Sequence, residues 1–534
     1  MAQQSMFTAS RIQAFTYLLG VCPFSIAFLV FINSSISFVV TDLIGLHDGE
    51  GDAVGTLGFA DELLALAACP MWGVLSDRIG VRHVCTAGYI IIAIALVLFV
   101  QAKNVYPQLL LGRLLFSIGG AAVSTMVTAV LPVVTGRRPR FQIEDYEPEA
   151  KNRASSSRLA GFVGMCAGCG ALISLVILLP LPAHFQQLGL SPARSVQYSY
   201  YCAAVLALIV SAGCFIGLKN LPGEDGKTWA SLWTTLQLET QPDCSSKSSY
   251  FTSFRTRFPY LNQLGSAIVL GFHNRDIFIG YLGGLVARAS SVGISLFIPL
   301  FVNHYYRESG LCPTQGNHPG DIKRSCPKAY VLASILTGVS QLVALIAAPA
   351  FGYSSERSRR YHLPLFLACL AGVVGYLVLA VLPSPEFTGE QGSSGIFVVM
   401  GLVGVSQIGT IVCSLSVLSN GILNMTGSAA IDITDTDTDN ERMPTTPREF
   451  DEQQPLLDTS STRIQQQPPS LKGSIAGVYS LFGGAGILLL TKLGGLLFDD
   501  LSSSAPFYIM AGFNSVLVIV GIVSGLVVHF RASQ

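Results

Sequence analysis

Along most of the chain polar and apolar positions do not interleave. They segregate into long apolar blocks broken by polar stretches. A block that crosses a hydrocarbon layer of roughly 30 Å needs about 20 residues as a helix, and a helix is required because backbone groups in lipid find no water to bond. Twelve blocks meet that length, at residues 15–40, 54–75, 84–102, 106–134, 159–181, 199–218, 277–302, 330–353, 363–382, 396–423, 474–498 and 507–530. The pattern predicts an all-α integral membrane protein with twelve transmembrane helices.

Two long polar segments interrupt the blocks, at 219–276 and 424–472. The first splits the chain into an N-terminal six-helix bundle (1–218), a cytoplasmic central loop (219–276) and a C-terminal six-helix bundle (277–534). The second contains DITDTDTDNERMPTTPREFDEQQPLLD, too polar to bury a core, and is expected to be a disordered cytoplasmic loop between helices 10 and 11. The stretch ELLALAACPMWGVLSDR (62–78) aligns without gaps onto QLVALIAAPAFGYSSER (341–357). Leu63, Ala65, Leu66, Ala68, Pro70, Gly73, Ser76 and Arg78 recur as Leu342, Ala344, Leu345, Ala347, Pro349, Gly352, Ser355 and Arg357, and Asp77 becomes Glu356. Helix 2 thus matches helix 8. Two pseudo-symmetric six-helix halves follow, with a solute site between them near the midplane.

Composition agrees, since 50% of residues are hydrophobic and 12% charged, about half the usual charged fraction of soluble domains. Net charge is zero and no basic block dominates, which removes nucleic acid as a partner and leaves the lipid bilayer. If the N-terminus is cytoplasmic, Lys103, Arg194, Arg307, Lys323, Arg324 and Lys328 fall on the opposite side and Arg113, Arg288 and Lys492 inside helices. Most of the 32 Lys and Arg residues then collect on one face. Both termini are therefore expected to be cytoplasmic. The first block is too long for a signal-peptide core and serves as an anchor itself. Of the 12 cysteines, ten are scattered without metal-ligand spacing and suit apolar packing. Cys312 and Cys326 share the non-cytoplasmic loop between helices 7 and 8 and form the candidate disulfide.

The loop after helix 2 reads Gly73-Val-Leu75-Ser76-Asp77-Arg78-Ile-Gly80-Val-Arg82. It resembles the signature between helices 2 and 3 of the major facilitator superfamily, G-x-L-[SA]-D-[RK]-x-G-x-[RK]-[RK], departing from it at Val81-Arg82-His83, where family members often carry two adjacent basic residues. The likeness extends over the whole chain through helix count, central loop and the degraded copy at Gly352, Glu356 and Arg357. It implies a transporter in which this network latches one alternating-access state. Physically, Gly73 admits a close neighbouring helix, and Asp77 at a helix C-terminal end needs cations, for which Arg78 and Arg82 are the nearby candidates. The plain alternative is positive-inside topology.

Arg113, in Leu111-Gly-Arg113-Leu-Leu-Phe116-Ser117, resembles the superfamily's second signature in part. Phe116 and Ser117 replace a common Gln and Gly, so a proton relay through the polar neighbour does not carry over. A charge at membrane depth costs at least about 2.5 kcal/mol unless paired or hydrated. Asp61 and Glu62 enter the membrane from the same side to a similar depth, and because neighbouring helical residues diverge by about 100°, one of them is expected to face Arg113. Glu62 aligns with Gln341, so one half has an ionisable group where the other has its neutral near-isostere. Asp61 or Glu62 either loads and releases a proton or forms a static pair. Arg288 in helix 7 either binds an anionic or polar solute or is a buried structural charge. Gln341 and Gln407 either hydrogen-bond a solute or tie helices together. Gly161, Gly164, Gly168 and Gly170 in helix 5 form a packing face without the superfamily's antiporter Gly-Pro pair, which favours symport or uniport.

Other signals fail. Gly223-Glu-Asp-Gly226-Lys227-Thr228 ends like a phosphate loop but has Leu221 where a Gly is required and no preceding strand. The 8 His residues form no metal pattern, no nucleophile motif appears, and no enzymatic activity or cofactor is expected beyond a proton gradient as driving force. Asn424-Met-Thr426 is a sequon on the cytoplasmic side. Glu452-Gln-Gln-Pro455-Leu456-Leu457 resembles the acidic dileucine signals read by clathrin adaptor complexes, favouring a vacuolar or lysosomal membrane. The reading is a secondary active transporter moving a small solute by alternating access, by proton-coupled symport. The alternatives are a uniporter or proton antiporter on the same fold, or a non-transporting membrane receptor or scaffold.

Overall fold

A computed structural model describes residues 9–45, 50–135, 148–221, 224, 227, 259–309, 327–358, 363–387, 392–438 and 471–532. Twelve helices long and apolar enough to cross a membrane are present: α1 Arg11–Ile36, α2 Thr56–Ile79, α3 Val81–Phe99, α4 Val105–Thr135, α5 Ser156–Leu178, α6 Ala193–Gly217, α7 Arg275–Tyr306, α8 Val331–Arg357, α9 Leu363–Val381, α10 Gly395–Leu423, α11 Lys472–Phe498 and α12 Ala505–Val523. Each falls on one of the expected blocks. No strand occurs among the described residues. Large apolar side chains such as Met71, Val176, Ile216, Ile346 and Val381 are about 70% exposed. On a soluble protein such a surface would aggregate, whereas here it faces lipid.

Two segments differ from expectation. The helix that carries α10 continues from Gly395 to Thr438, so the first part of the 424–472 segment is helical. Extending a helix already nucleated in the membrane costs little per added residue. The central segment also carries a helix, Pro259–His273, which packs against the start of α7 and against α2 and α11.

Each half has its own core. In the N-terminal half Tyr17, Tyr89 and Tyr200 are fully buried, and each hydroxyl is spent, on Val127 O (2.6 Å), Val21 O (2.9 Å) and Ser35 Oγ (2.8 Å) respectively. In the C-terminal half Phe297, Tyr376, Met400 and Phe507 fill the same role. Paired hydroxyls matter because a buried polar group left alone costs about 1–3 kcal/mol.

The halves meet through two helix pairs, α2 with α11 and α5 with α8. A Cβ on Gly352 would lie 2.8 Å from Gly161 Cα, and one on Gly73 would lie 2.8 Å from Gly477 Cα. Only glycine lets these backbones approach so closely. The contacts obey one register. Leu345 of α8 fills the space over Gly168, and Leu66, its equivalent in α2, fills the space over Gly484. Ser157, Gly161 and Gly168 of α5 therefore correspond, at a constant offset, to Gly473, Gly477 and Gly484 of α11. The repeat seen between α2 and α8 thus has a partner repeat, Ala160-Gly161, Gly168 and Gly170 against Ala476-Gly477, Gly484 and Gly486.

At the end of the bundle that carries Asp77, α4 and α5 also pack on α10 and α11. Among the described residues α1 and α7 make no comparable packing. The halves are closed on one another at the Asp77 end.

Candidate functional site

The membrane-depth charges resolve into two kinds. Arg113 is 3% exposed, and its Nη2 donates to Asp61 Oδ2 at 2.6 Å and to Asn33 Oδ1. Ser117 Oγ donates to the Asp61 carbonyl at 2.8 Å, tying α4 to α2 at the same level. Asp61, and not Glu62, is therefore the acid that faces Arg113. Arg113 Nε and Nη1 find no acceptor among the described residues. This pair with its α1 contact lies wholly inside the N-terminal half and staples α1, α2 and α4 together.

Glu62 and Arg288 are different. Both are half-buried, and neither makes a hydrogen bond or ion pair among the described residues. Arg288 projects from α7 across Gly483 of α11, where a Cβ would lie 2.7 Å from its Cγ. From there its charge acts on Glu62, Cys69 and Tyr479. Glu62 belongs to the N-terminal half and Arg288 to the C-terminal half, and Leu66, one turn after Glu62, sits over Gly484, next to the Gly483 that Arg288 crosses. Lys492 of α11 lies 4.2 Å over the Phe59 ring of α2, one turn before Glu62.

The two glutamines come together. Gln341 Nε2 donates to Gln407 Oε1 at 3.2 Å, and Gln407 Nε2 donates to Ser291 Oγ at 3.1 Å, linking α8, α10 and α7. Ser291 lies one turn from Arg288, on the same side of α7.

The signature loop is assembled otherwise than its sequence suggests. Asp77 is not held by Arg82. Its carboxylate accepts from Gly473 N (2.7 Å), Ser474 N (2.7 Å) and Ser474 Oγ (2.6 Å) at the start of α11, and from Gln263 Nε2 at 3.4 Å. A carboxylate at a helix N-terminus satisfies orphan amides and meets the positive end of the dipole. Arg82 instead donates to Phe215 O at 2.7 Å and lies 4.0 Å over the Phe215 ring, fixing α3 to α6. Arg78 closes the last turn of α2. Gly80 holds φ at 90°, a region that favours glycine, and so turns the chain between α2 and α3. The Glu224 carboxylate then accepts from Val81 N at 3.1 Å, capping α3, with Lys227 Nζ 3.7 Å away. Burial pushes the Glu224 carboxyl above the ordinary range, opposed by Lys227 and by the Val81 amide.

The second copy behaves in register. Glu356 pairs with Arg158 of α5 through both carboxylate oxygens. Arg158 is the position equivalent to Ser474, so each acid grips the start of the helix its own half packs against. Between these latches Ser156 meets Ser419 (2.8 Å), and Ser416 meets Ser157 (2.6 Å) and Ser355 (3.2 Å).

Cys312, Cys326, Glu452, Leu456 and Leu457 lie outside the described residues. Sequence reasoning missed Asn33, Arg158, Glu224 and Ser474. Asn33 carried no signal, being an ordinary polar residue within a helix. Arg158 and Ser474 were legible through the Ala-Gly repeat of α5 and α11.

A family model described as Major Facilitator Superfamily matches residues 23–431. No curated protein matches the chain by sequence. Among solved structures, a variant of the E. coli fucose:proton symporter FucP is similar at 12% identity and a TM-score of 0.56, covering 96% of this chain and 98% of that one. The proton:xylose symporter XylE, solved with 6-bromo-6-deoxy-D-glucose, is similar at 10% identity and 0.54, covering 95% and 94%. The human organic anion transporter MFSD10 is similar at 12% identity and 0.51, covering 96% and 99%.

Proposed function

From the membership of this chain in the major facilitator superfamily, whose family model spans most of its length, we propose a proton-coupled symporter that carries a small solute between its two halves by alternating access. Transport follows from family and fold. The named neighbours move sugars and organic anions on one architecture, so solute and coupling are argued from the site.

The observation that carries proton coupling is Glu62, a carboxylate at membrane depth with no hydrogen bond or ion pair among the described residues. Unpaired charge at that depth is costly, so an acid kept there has a use for its proton. Asp61 is spent on Arg113 and serves as scaffold. Gln341 and Gln407, bonded to each other and to Ser291, offer an uncharged rim to a solute. Asp77, Glu356 and the serine contacts between them form the gate, and the Lys and Arg bias puts that gate and both termini on the cytoplasmic side. The dileucine segment fits a vacuolar or lysosomal address.

The test is acidification of proteoliposomes loaded with a pH dye when solute pools are added outside. Wild type acidifies the lumen with one pool, Glu62→Gln does not, and Asp61→Asn fails by instability instead. Labelled solute crossing without proton movement would replace symport by uniport.

A further inference from the structure

Among the described residues, Arg113 at membrane depth is neutralised by Asp61, whereas Lys492 has only the Phe59 ring beside it. Glu62 and Arg288, one from each half, make no hydrogen bond, ion pair or ring contact among the described residues. Arg288 is also the better-placed of the two for a ligand. Gly483 makes way for its stem and Gly284 for the Tyr479 ring, and Ser291, bonded to Gln407, lies one turn along α7, so hydroxyl and amide groups accompany it.

We propose that Arg288 seats the carboxylate of a singly charged organic acid, and that solute and proton enter together because each takes one member of the Arg288–Glu62 attraction. This rests on the proton-coupled reading above. A planar guanidinium matches a carboxylate with two parallel hydrogen bonds. When an anion occupies Arg288, the positive field that favours the Glu62 carboxylate is cancelled, and a proton on Glu62 restores neutrality. Anion binding and proton binding thereby promote each other, and the coupling is reciprocal. A neutral sugar would leave the attraction intact and has no such link. A dianion would need a second cation within reach, and Arg113 is already spent on Asp61 while Lys492 lies against the Phe59 ring.

The groups that face Glu62 are few. Asp61 lies on its own helix and is bonded to Arg113 of α4, and Arg288 comes from α7, while on α11 Tyr479 lies against Arg288 and Lys492 over the Phe59 ring one turn away. Helix α1 brings only the amide of Asn33, and Arg82 and His83 of α3 lie at the Asp77 end. The linkage therefore runs between Glu62 and Arg288.

The test is ligand-induced thermal stabilisation of the purified full chain, titrated at pH 5 and pH 8 with a series of monocarboxylates from acetate to benzoate, with inorganic phosphate and with xylose. At least one monocarboxylate stabilises wild type, and Arg288→Gln weakens it roughly 10- to 100-fold. Arg288→Lys, which keeps the charge and loses the planar fork, falls between them and guards against a misfolded Gln variant. Wild-type affinity drops from pH 5 to pH 8, and Glu62→Gln holds the low-pH affinity at both. Undiminished binding in Arg288→Gln, binding of xylose or phosphate in place of carboxylates, or no carboxylate binding to folded wild type would each overturn the proposal. The two readings fail separately. Carboxylate binding with no acidification of dye-loaded proteoliposomes removes transport and leaves the seat, whereas Glu62-dependent acidification driven by a neutral solute removes the seat and leaves transport.

Discussion

Replacing Asp77 by alanine removes three hydrogen bonds to α11, from Gly473 N, Ser474 N and Ser474 Oγ, at 2.6–2.7 Å. Hydrogen bonds to a charged group are worth about 1.5–3 kcal/mol each. Asp77 is half-buried, so the low end applies, and the three bonds together hold this end shut by about 4–5 kcal/mol. Each 1.4 kcal/mol is tenfold, so the open population of the Asp77 end rises about 700- to 4000-fold. The equivalent acid gives a contrast. Arg158, the partner of Glu356, has a side chain 46% exposed. An exposed ion pair contributes about 0–1 kcal/mol, so Glu356→Ala shifts the same population less than about fivefold. The assay is maleimide labelling of Ser416→Cys, a position fully buried in the serine contacts, in a background where the exposed Cys169 and Cys202 are serine. Labelling accelerates strongly with Asp77→Ala and weakly with Glu356→Ala. Equal acceleration by both, or none with Asp77→Ala, would refute the energetic ranking of the two latches.

Three further outcomes follow from named contacts. Gly352→Leu cannot be accommodated where a Cβ alone would lie 2.8 Å from Gly161 Cα, so it wedges α8 from α5 and raises Ser416→Cys labelling with the fold intact by circular dichroism. Asp61→Asn leaves Arg113 buried without its counter-charge and costs about 3–5 kcal/mol, seen as a lower unfolding temperature, whereas the double substitution Asp61→Leu with Arg113→Met recovers most of that loss. Glu224 has its carboxyl raised by burial, so the folded chain takes up its proton more readily than the unfolded one does. Its contribution is full below the ordinary glutamate value of about 4.3 and declines as pH rises through the raised value, so Glu224→Gln gains thermal stability relative to wild type as pH climbs from about 4.5 toward neutrality. A constant difference across that range would contradict the assignment.

The fold was legible because lipid imposes a length and a continuity on each helix that the apolar blocks record directly. The pairing of Asp61 with Arg113 was legible from depth alone, but the choice between Asp61 and Glu62 was not, since a rotation of about 100° decides it and only packing fixes the rotation. The backbone partners of Asp77 were not legible because sequence shows neighbours along the chain, and the amides that satisfy it belong to a helix hundreds of residues away. Backbone donors carry no side-chain signature. The same is true of Glu224, whose partner is the Val81 amide.

The two repeats also say where in this chain function resides. Positions that match between halves are those that let backbones approach: Gly73 and Gly352, Pro70 and Pro349, Leu66 and Leu345, and, in the partner repeat, Gly161 and Gly477, Gly168 and Gly484. They make a symmetric hinge that either half can use. Charge breaks the symmetry. Glu62 stands against Gln341, and Arg158 against Ser474. A perfectly symmetric carrier would have no reason to bind a proton in one half and a solute in the other, or to close one latch more firmly than its twin. One departure lies inside the membrane span of α2 and the other at the Asp77 end, and both put an ionisable group opposite a neutral one. Exchanging them, with Glu62→Gln and Gln341→Glu in one chain, moves the acid onto α8, the helix of the C-terminal half that also carries the Gln407 contact. Proton uptake in that double variant, where Glu62→Gln alone has none, would locate coupling in the presence of one acid at this level of the membrane. Its continued absence would locate coupling in the influence of Arg288 on Glu62 itself, as the proposal expects.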